Sequence, residues 1–239
     1  SIYFAEPEEA ENWEIGIKKT FSNGYLNMSF FHMAVEGYQS NLFIGTGFNL
    51  VNIGEETHKG IEIDSLFFLS ENFVLTFAAS YIDAIFDDFK NGPCDRTFVP
   101  PASDDCPIVN GGPARVKDFT GRTPSGVPEL AITVSGTYTF DLTENMTGYI
   151  RGEYIYEDAY QATDAVPVEV PNALRKVGTL NASLGVKDSA SGFSIMLWGR
   201  NINDDEYIYT GFNVPGSPGS YAGYPVVPKM WGLTLSRDF

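Results

Sequence analysis

Two histidines, His32 and His58, and two cysteines, Cys94 and Cys106, are all that 239 residues offer for base, thiolate or soft-metal chemistry. Enzymatic hydrolysis needs a nucleophile, a base and an oxyanion donor converging on one point. No Gly-x-Ser-x-Gly, His-Glu-x-x-His, phosphate loop or paired Cys-x-x-Cys is present to supply one. His58 follows Glu55 and Glu56, the only place where acids and an imidazole approach in sequence, as they do on the rim of a protease barrel. Alone it reads as a polar position beside a strand start, and His32 as a polar position within a strand. Asn201 to Glu206 is rich in oxygen ligands that suit calcium, but it lacks the spacing and the glycine of an EF-hand loop and reads as the start of a loop. Cys94 and Cys106 sit in one stretch of Gly, Pro and Asp with no His or third Cys nearby. A local disulfide in an oxidising compartment is expected there, two free thiols being the other reading. No catalytic residue, metal or cofactor is expected, and the chain is not read as an enzyme.

The elements that would position any site are strands. Gly, Tyr, Phe and Thr are abundant, and no run approaches the length of a transmembrane helix. Period-2 alternation predicts nine strands. Trp13, Ile15 and Ile17 oppose Glu14, Gly16 and Lys18, and Ser22-Asn23-Gly24 turns the chain into Leu26, Met28 and Phe30. A polar segment expected to be a long loop runs to about Thr57. Ile61, Ile63 and Phe67 then oppose Glu62 and Asp64, and after Ser70-Glu71-Asn72 come Leu75, Phe77, Ala79 and Tyr81. The longest irregular stretch, 86–126, precedes the cleanest strand, with Leu130, Ile132, Val134, Tyr138 and Phe140 against Thr and Ser. Met146, Ile150, Tyr154 and Tyr156 oppose Thr147, Arg151 and Glu153; Leu180, Leu184 and Val186 oppose Asn181, Ser183 and Lys187; Phe193, Ile195 and Leu197 oppose Ser194 and Arg200. The last strand sets Trp231, Leu233, Leu235 and Phe239 against Gly232, Thr234, Ser236 and Asp238.

Connections alternate short and long without exception, so every short turn belongs to one rim and every long loop to the other. Greek-key sandwiches mix their loop lengths, whereas bacterial outer-membrane barrels sort them in this way. Charge sorts likewise. The segment 1–11 and the loops 36–58, 86–126, 157–174 and 203–226 hold 20 of the 31 acidic residues but only 5 of the 15 basic ones, so nearly all of the net charge of −16 sits on the long-loop rim. Such a rim repels anions and nucleic acid and tolerates cations; the same acids also serve simple solvation. The opening SIYFAEPEEA has neither a basic stretch nor an apolar run, so no signal peptide is read there, and Ser1 is expected to begin a mature chain or a cut piece of a longer one.

Five stretches, in order, resemble the C-terminal barrel of TonB-dependent outer-membrane receptors. Pro7-Glu8-Glu9 with Asn12-Trp13-Glu14-Ile15-Gly16-Ile17-Lys18 is similar to the family's start of a mid-barrel strand. Lys59-Gly60-Ile61-Glu62-Ile63-Asp64 resembles another strand start, and Gly126-Val127-Pro128 a strand opening after a loop. Arg200 to Tyr207, Arg-Asn-Ile-Asn-Asp-Asp-Glu-Tyr, resembles the late Lys-Asn-Leu segment, with Ile202 for Leu and Asn203 where an aromatic is common. Pro228-Lys229-Met230-Trp231-Gly232-Leu233-Thr234-Leu235 and Phe239 resemble the final strand, though Arg237-Asp238-Phe239 stands where an aromatic pair and a base are more usual.

The resemblance implies an all-β, antiparallel up-and-down transmembrane barrel of 22 strands, of which this chain supplies nine as an open curved sheet. Residues 1–239 would be the C-terminal portion, roughly the last two-fifths, with the plug domain and N-terminal strands absent. It implies uptake of a scarce nutrient such as an iron–siderophore complex, cobalamin or a glycan, in the outer membrane of a Gram-negative bacterium. Partners would be outer-membrane lipid, the TonB complex through the missing plug, the barrel-assembly machinery and the small-molecule cargo, with no nucleic acid. Cargo contacts are expected from Tyr160, Tyr207, Tyr209, Phe212 and Tyr221 in the loops. Glu62, Asp64, Arg151, Glu153, Lys187 and Arg200 are expected to face the lumen. Trp13, Tyr81, Tyr154, Trp231 and Phe239 are expected at headgroup depth, and Trp231, Leu233, Leu235 and Phe239 as the assembly signal. The competing readings are a soluble β-sandwich binding or adhesion module, which needs the apolar faces sealed against each other, and a rim protease, which needs a carboxylate beside His58.

Overall fold

A computed structural model describes residues 5–44, 47–90, 92–93, 116–163, 170, 172–214, 217 and 220–238. The elements, in chain order, are β1 (Glu9–Phe21), β2 (Gly24–Ile44), β3 (Gly47–Ser70), β4 (Phe73–Asp88), β5 (Gly92–Pro93), β6 (Val116–Lys117), β7 (Leu130–Asp141), β8 (Met146–Gln161), β9 (Leu174–Asp188), β10 (Phe193–Arg200), β11 (Ile208–Asn213), β12 (Tyr221–Pro225) and β13 (Met230–Arg237). Nine of them form one antiparallel sheet in sequence order, β1-β2-β3-β4-β7-β8-β9-β10-β13; β11–β12 and β5–β6 are separate hairpins. There is no helix among the described residues.

Register carries each strand's alternation across the sheet, because residues directly opposite in a ladder share a face. Ile17, Met28, Ile63, Ala79, Ile132 and Tyr156 form one cross-strand row. The adjacent row, Lys18, Asn27, Asp64, Ala78, Thr133, Ile155 and Thr179, points the other way. The sheet curls so that the second face lines a hollow of about 470 Å³ with Glu14, Lys18, Asn27, Glu62, Asp64 and Ser80. On the opposite face Ile15 is 73% exposed, Leu235 70% and Leu184 48%.

The chain exposes 15408 Å², where a compact domain of its mass exposes roughly 10,600 Å². Among the described residues no second sheet covers the apolar face, so the β-sandwich reading is overturned. Sealing Leu184 and Leu235 would need a partner layer that the sequential up-and-down order does not provide.

The segment expected to be a long loop up to about Thr57 is instead a projecting hairpin. β2 and β3 stay paired from Gly24–Phe67 to Ile44–Gly47, with register shifts around Tyr38. Gly37 adopts φ 67° at the shift, a left-handed conformation that suits glycine. Periodicity missed it because ladder bonds between backbone groups hold this ribbon together, and no side-chain alternation announces them. The loop over 203–226 likewise contains β11 and β12.

Beside the projection lies the largest buried cluster among the described residues. Phe86, Phe89 and Phe119 meet edge-to-face at 4.7 and 5.1 Å, and Tyr38 of β2 lies 5.8 Å from Phe86. Phe119 donates its N–H to Phe89, Gly121 to Phe86, and Phe86 to Arg122, so this segment continues the ladder on β4 above the start of β7.

Candidate functional site: the polar face and the long-loop rim

Each polar-face residue follows from strand parity. Asp64 accepts a hydrogen bond from Asn27 Nδ2 at 3.0 Å. Arg151 pairs with Glu153 at 2.9 Å, and Asn181 Nδ2 donates to the other Glu153 oxygen at 3.2 Å. Lys187 reaches Asp238 at 2.7 Å near the short-turn rim, and its bond and charge hold the Asp238 carboxyl below its ordinary range. Arg200 lies 5.6 Å from the Trp198 ring, and Glu62 is exposed in the hollow. The concave side thus presents fixed charges to whatever occupies it.

At the other rim, the structure gathers three of the five aromatic candidates around a residue that sequence reasoning did not name. The Arg175 guanidinium carbon lies 5.5 Å from the Tyr160 ring centre, 5.3 Å from Tyr207 and 5.0 Å from Tyr209. Its Nη2 is 3.1 Å from Glu157 Oε2, the oxygen that also accepts the Tyr160 hydroxyl at 2.8 Å. Tyr160 is 9% exposed, and burial, then the bond to Glu157, raises its pKa far above the ordinary phenol value. Phe212 and Tyr221 are not part of this group. Phe212 packs on Tyr224 at 5.9 Å, and Tyr221 borders a cavity of about 200 Å³ between β11–β12 and the β8–β9 connection. The Tyr-x-Tyr spacing of Tyr207 and Tyr209 was the available clue. Their meeting with Arg175 depends on the bulge between Glu157 and Tyr160, which no local pattern marks.

The oxygen-rich segment at 201–205 has its ligands in use. Asn201, 4% exposed, donates to the carbonyls of Asp205 and Val227 and accepts the Asp205 N–H at 2.7 Å. Asp205 Oδ2 accepts the N–H of Gly178 at 2.6 Å; Asn203 accepts the N–H of Leu180 and donates to the Gly178 carbonyl. The segment therefore replaces a ladder partner for β9 where β10 ends, and pins both ends of the 201–229 arm together. Asp204 and Lys229 close the same base at 3.2 Å.

His58 and Glu56 share the concave face of β3, with Nε2 3.1 Å from Oε1 but off the angle that a hydrogen bond needs. The carboxylate a protease would require is thus near. Separately, among the described residues no group of three or more His, Cys, Asp or Glu suited to a metal is found. Cys94 and Cys106 lie outside the described residues, as does Phe239.

On the convex face Trp13 is 70% exposed, Trp231 60%, Tyr81 46% and Tyr154 40%, and Leu233 lies alongside. Phe21 stands eight residues from Trp13 on β1, and Phe73 eight from Tyr81 on β4. That separation is about 27 Å along a strand, or about 20 Å across a membrane at a tilt of ~40°. Aromatic rings thus stand at two levels, with aliphatic side chains between them.

A single curled sheet, greasy outside and charged within, with short turns on one rim and long connections on the other, is a sector of a transmembrane β-barrel wall. The family model "TonB dependent receptor-like, beta-barrel" matches residues 3–202, and the chain belongs to this family. Among solved structures, the ferric yersiniabactin uptake receptor FyuA from Yersinia pestis is 16% identical with a TM-score of 0.69, covering 97% of this chain and 30% of that one. The siderophore receptor PiuA from Acinetobacter baumannii is 16% identical with a TM-score of 0.61, covering 96% and 28%. The copper transporter OprC is 10% identical with a TM-score of 0.64, covering 98% and 32%. The chain therefore spans about a third of the length of these structures. No curated protein matched in sequence.

Proposed function

We propose that residues 1–239 are the C-terminal portion of a TonB-dependent receptor that takes up a scarce nutrient across the outer membrane of a Gram-negative bacterium. The observation that carries this is the division of one open sheet into an apolar convex face and a charged concave face. Each large aliphatic side chain left in water forfeits roughly 1.5–3 kcal/mol, a cost removed when that face meets hydrocarbon. The free edges of β1 and β13 find their partners in further strands of the same barrel, since unpaired backbone at membrane depth costs several kcal/mol per group.

On this reading Glu62, Asp64, Arg151, Glu153, Lys187 and Arg200 face a plug domain or line the path beside it, and energy arrives from TonB through that plug. Trp13, Tyr81, Tyr154 and Trp231 settle at headgroup depth. Trp231, Leu233 and Leu235 of β13, with Phe239 at the end of the sequence, are the signal offered to the barrel-assembly machinery. Tyr160, Tyr207, Tyr209, Phe212 and Tyr221 stand where cargo arrives. The fold neighbours named above are receptors for ferric siderophores and a copper transporter, which supports a metal-bearing cargo, an iron–siderophore complex first, over cobalamin or a glycan. The cargo is bound and passed on without a chemical step.

The test is growth on ferric siderophores as sole iron source by a strain lacking its own receptors and supplied with the full-length protein. Growth that requires both this protein and TonB is expected. A protein recovered in the soluble fraction, or uptake that persists without TonB, overturns the proposal.

A further inference from the structure

The arm from Asn201 to Lys229 is the long connection between β10 and β13, and it carries Tyr207, Tyr209, Phe212 and Tyr221. Long polar connections are ordinarily the least fixed parts of a fold, since few apolar contacts hold them. This one is held in two places. Its base is tied by Asn201, which bonds Asp205 on the outgoing limb and Val227 on the returning one. The limbs are joined again where the Val226 N–H meets the Tyr207 carbonyl at 2.9 Å. Its flank is held by Arg175 of β9, whose guanidinium lies 5.0 Å from the Tyr209 ring centre and 5.3 Å from that of Tyr207.

Arg175 is itself fixed. Glu157 of β8 takes its Nη2, and the Tyr160 ring flanks it from the wall side. A guanidinium held this way has little rotamer freedom left to lose when a ring stacks on it, so the contact forms at low entropic cost. Only 18% of the Arg175 side chain is exposed, which weakens water's competition for its charge. The stack is unequal on its two sides. Tyr160 is 9% exposed and belongs to the wall, whereas Tyr209 is 59% exposed and belongs to the arm.

We infer that Arg175 is a positioning residue: a cation clasped by Glu157 that latches the arm to the β8–β9 wall through the faces of Tyr207 and Tyr209, so that the rim is preset before cargo arrives. The latch acts through ring faces, and the tyrosine hydroxyls of the arm contribute nothing to it. The inference rests on the proposed function only in taking the arm as a cargo-contacting loop.

The experiment uses the full-length receptor in detergent or vesicles, without cargo, with nitroxide labels at Ser217 on the arm and Ala159 on the wall. Dipolar spectroscopy should give one narrow distance distribution. Arg175→Ala and Tyr209→Ala should each at least double its width, Arg175→Lys should give an intermediate width, and Tyr209→Phe should leave it unchanged. A width unchanged by both alanine variants overturns the latch, as does a Tyr209→Phe variant as broad as Tyr209→Ala. Should Arg175→Ala fail to fold, the Tyr209 pair decides by itself. Because no cargo is present, failure here leaves the uptake proposal standing, and failure of uptake leaves the latch standing.

Discussion

Tyr160 and Arg175 face each other as ladder partners across β8 and β9, with the guanidinium carbon 5.5 Å from the ring centre and Glu157 bonded to both. The relationship joins a buried phenol, a cation and a carboxylate on the long-loop rim, and it sets the first expectation.

Burial and the bond to Glu157 raise the Tyr160 pKa above the ordinary phenol value of 10.0. The folded protein therefore holds this proton more tightly than the unfolded chain. Its contribution to stability is complete below pH ~10 and is lost as pH rises through the folded-state value. Alkaline titration of phenolate absorbance should show one tyrosine fewer ionising in the late, folded phase in Tyr160→Phe than in the parent. A parent whose tyrosines all ionise near the ordinary value contradicts this.

Asn201→Ala removes three hydrogen bonds at the base of the arm and leaves the Asp205 N–H and two carbonyls without this partner. Each buried orphan costs about 1–3 kcal/mol. The arm should become the first site of limited proteolysis in the folded receptor, with the barrel's thermal midpoint lowered less. Asn201→Asp should be as damaging, since a carboxylate cannot donate to Val227.

Leu184 and Ser183 are neighbours on β9 that point to opposite faces. Leu184→Arg should destabilise the barrel in phospholipid vesicles by about 2–4 kcal/mol, the cost of a cation against hydrocarbon at mid-depth. Ser183→Arg, beside Arg151 on the concave face, should cost clearly less. Equal effects in denaturant titrations would remove the basis for separating a lipid side from a lumen side.

Phe89 is 1% exposed and touches both Phe86 and Phe119. Phe89→Ala should cost about 3–5 kcal/mol within that cluster. Amide hydrogen exchange should report the loss locally: faster exchange at Gly121 and Phe119, whose N–H groups bond to Phe86 and Phe89, with β7 to β10 unchanged. Uniform acceleration across the sheet would mean that the cluster belongs to the barrel's cooperative unit.

The sequence by itself determined the strands that cross and the side each residue takes. Trp231, Leu233 and Leu235 alternate with Gly232, Thr234 and Ser236, and a period of two is written into neighbouring residues, so it survives without knowledge of any partner. Loop order and the acidic rim were legible for the same reason. Tertiary structure alone decided that β2 and β3 continue to Ile44 and Gly47, because backbone ladder bonds need no apolar alternation to announce them. It alone decided that Asn201 to Asp205 close the edge of β9 and that Tyr160, Tyr207 and Tyr209 meet at Arg175. Those contacts span 15 to 34 residues and depend on cross-strand register and on one bulge, and a single extra residue there would turn Arg175 away.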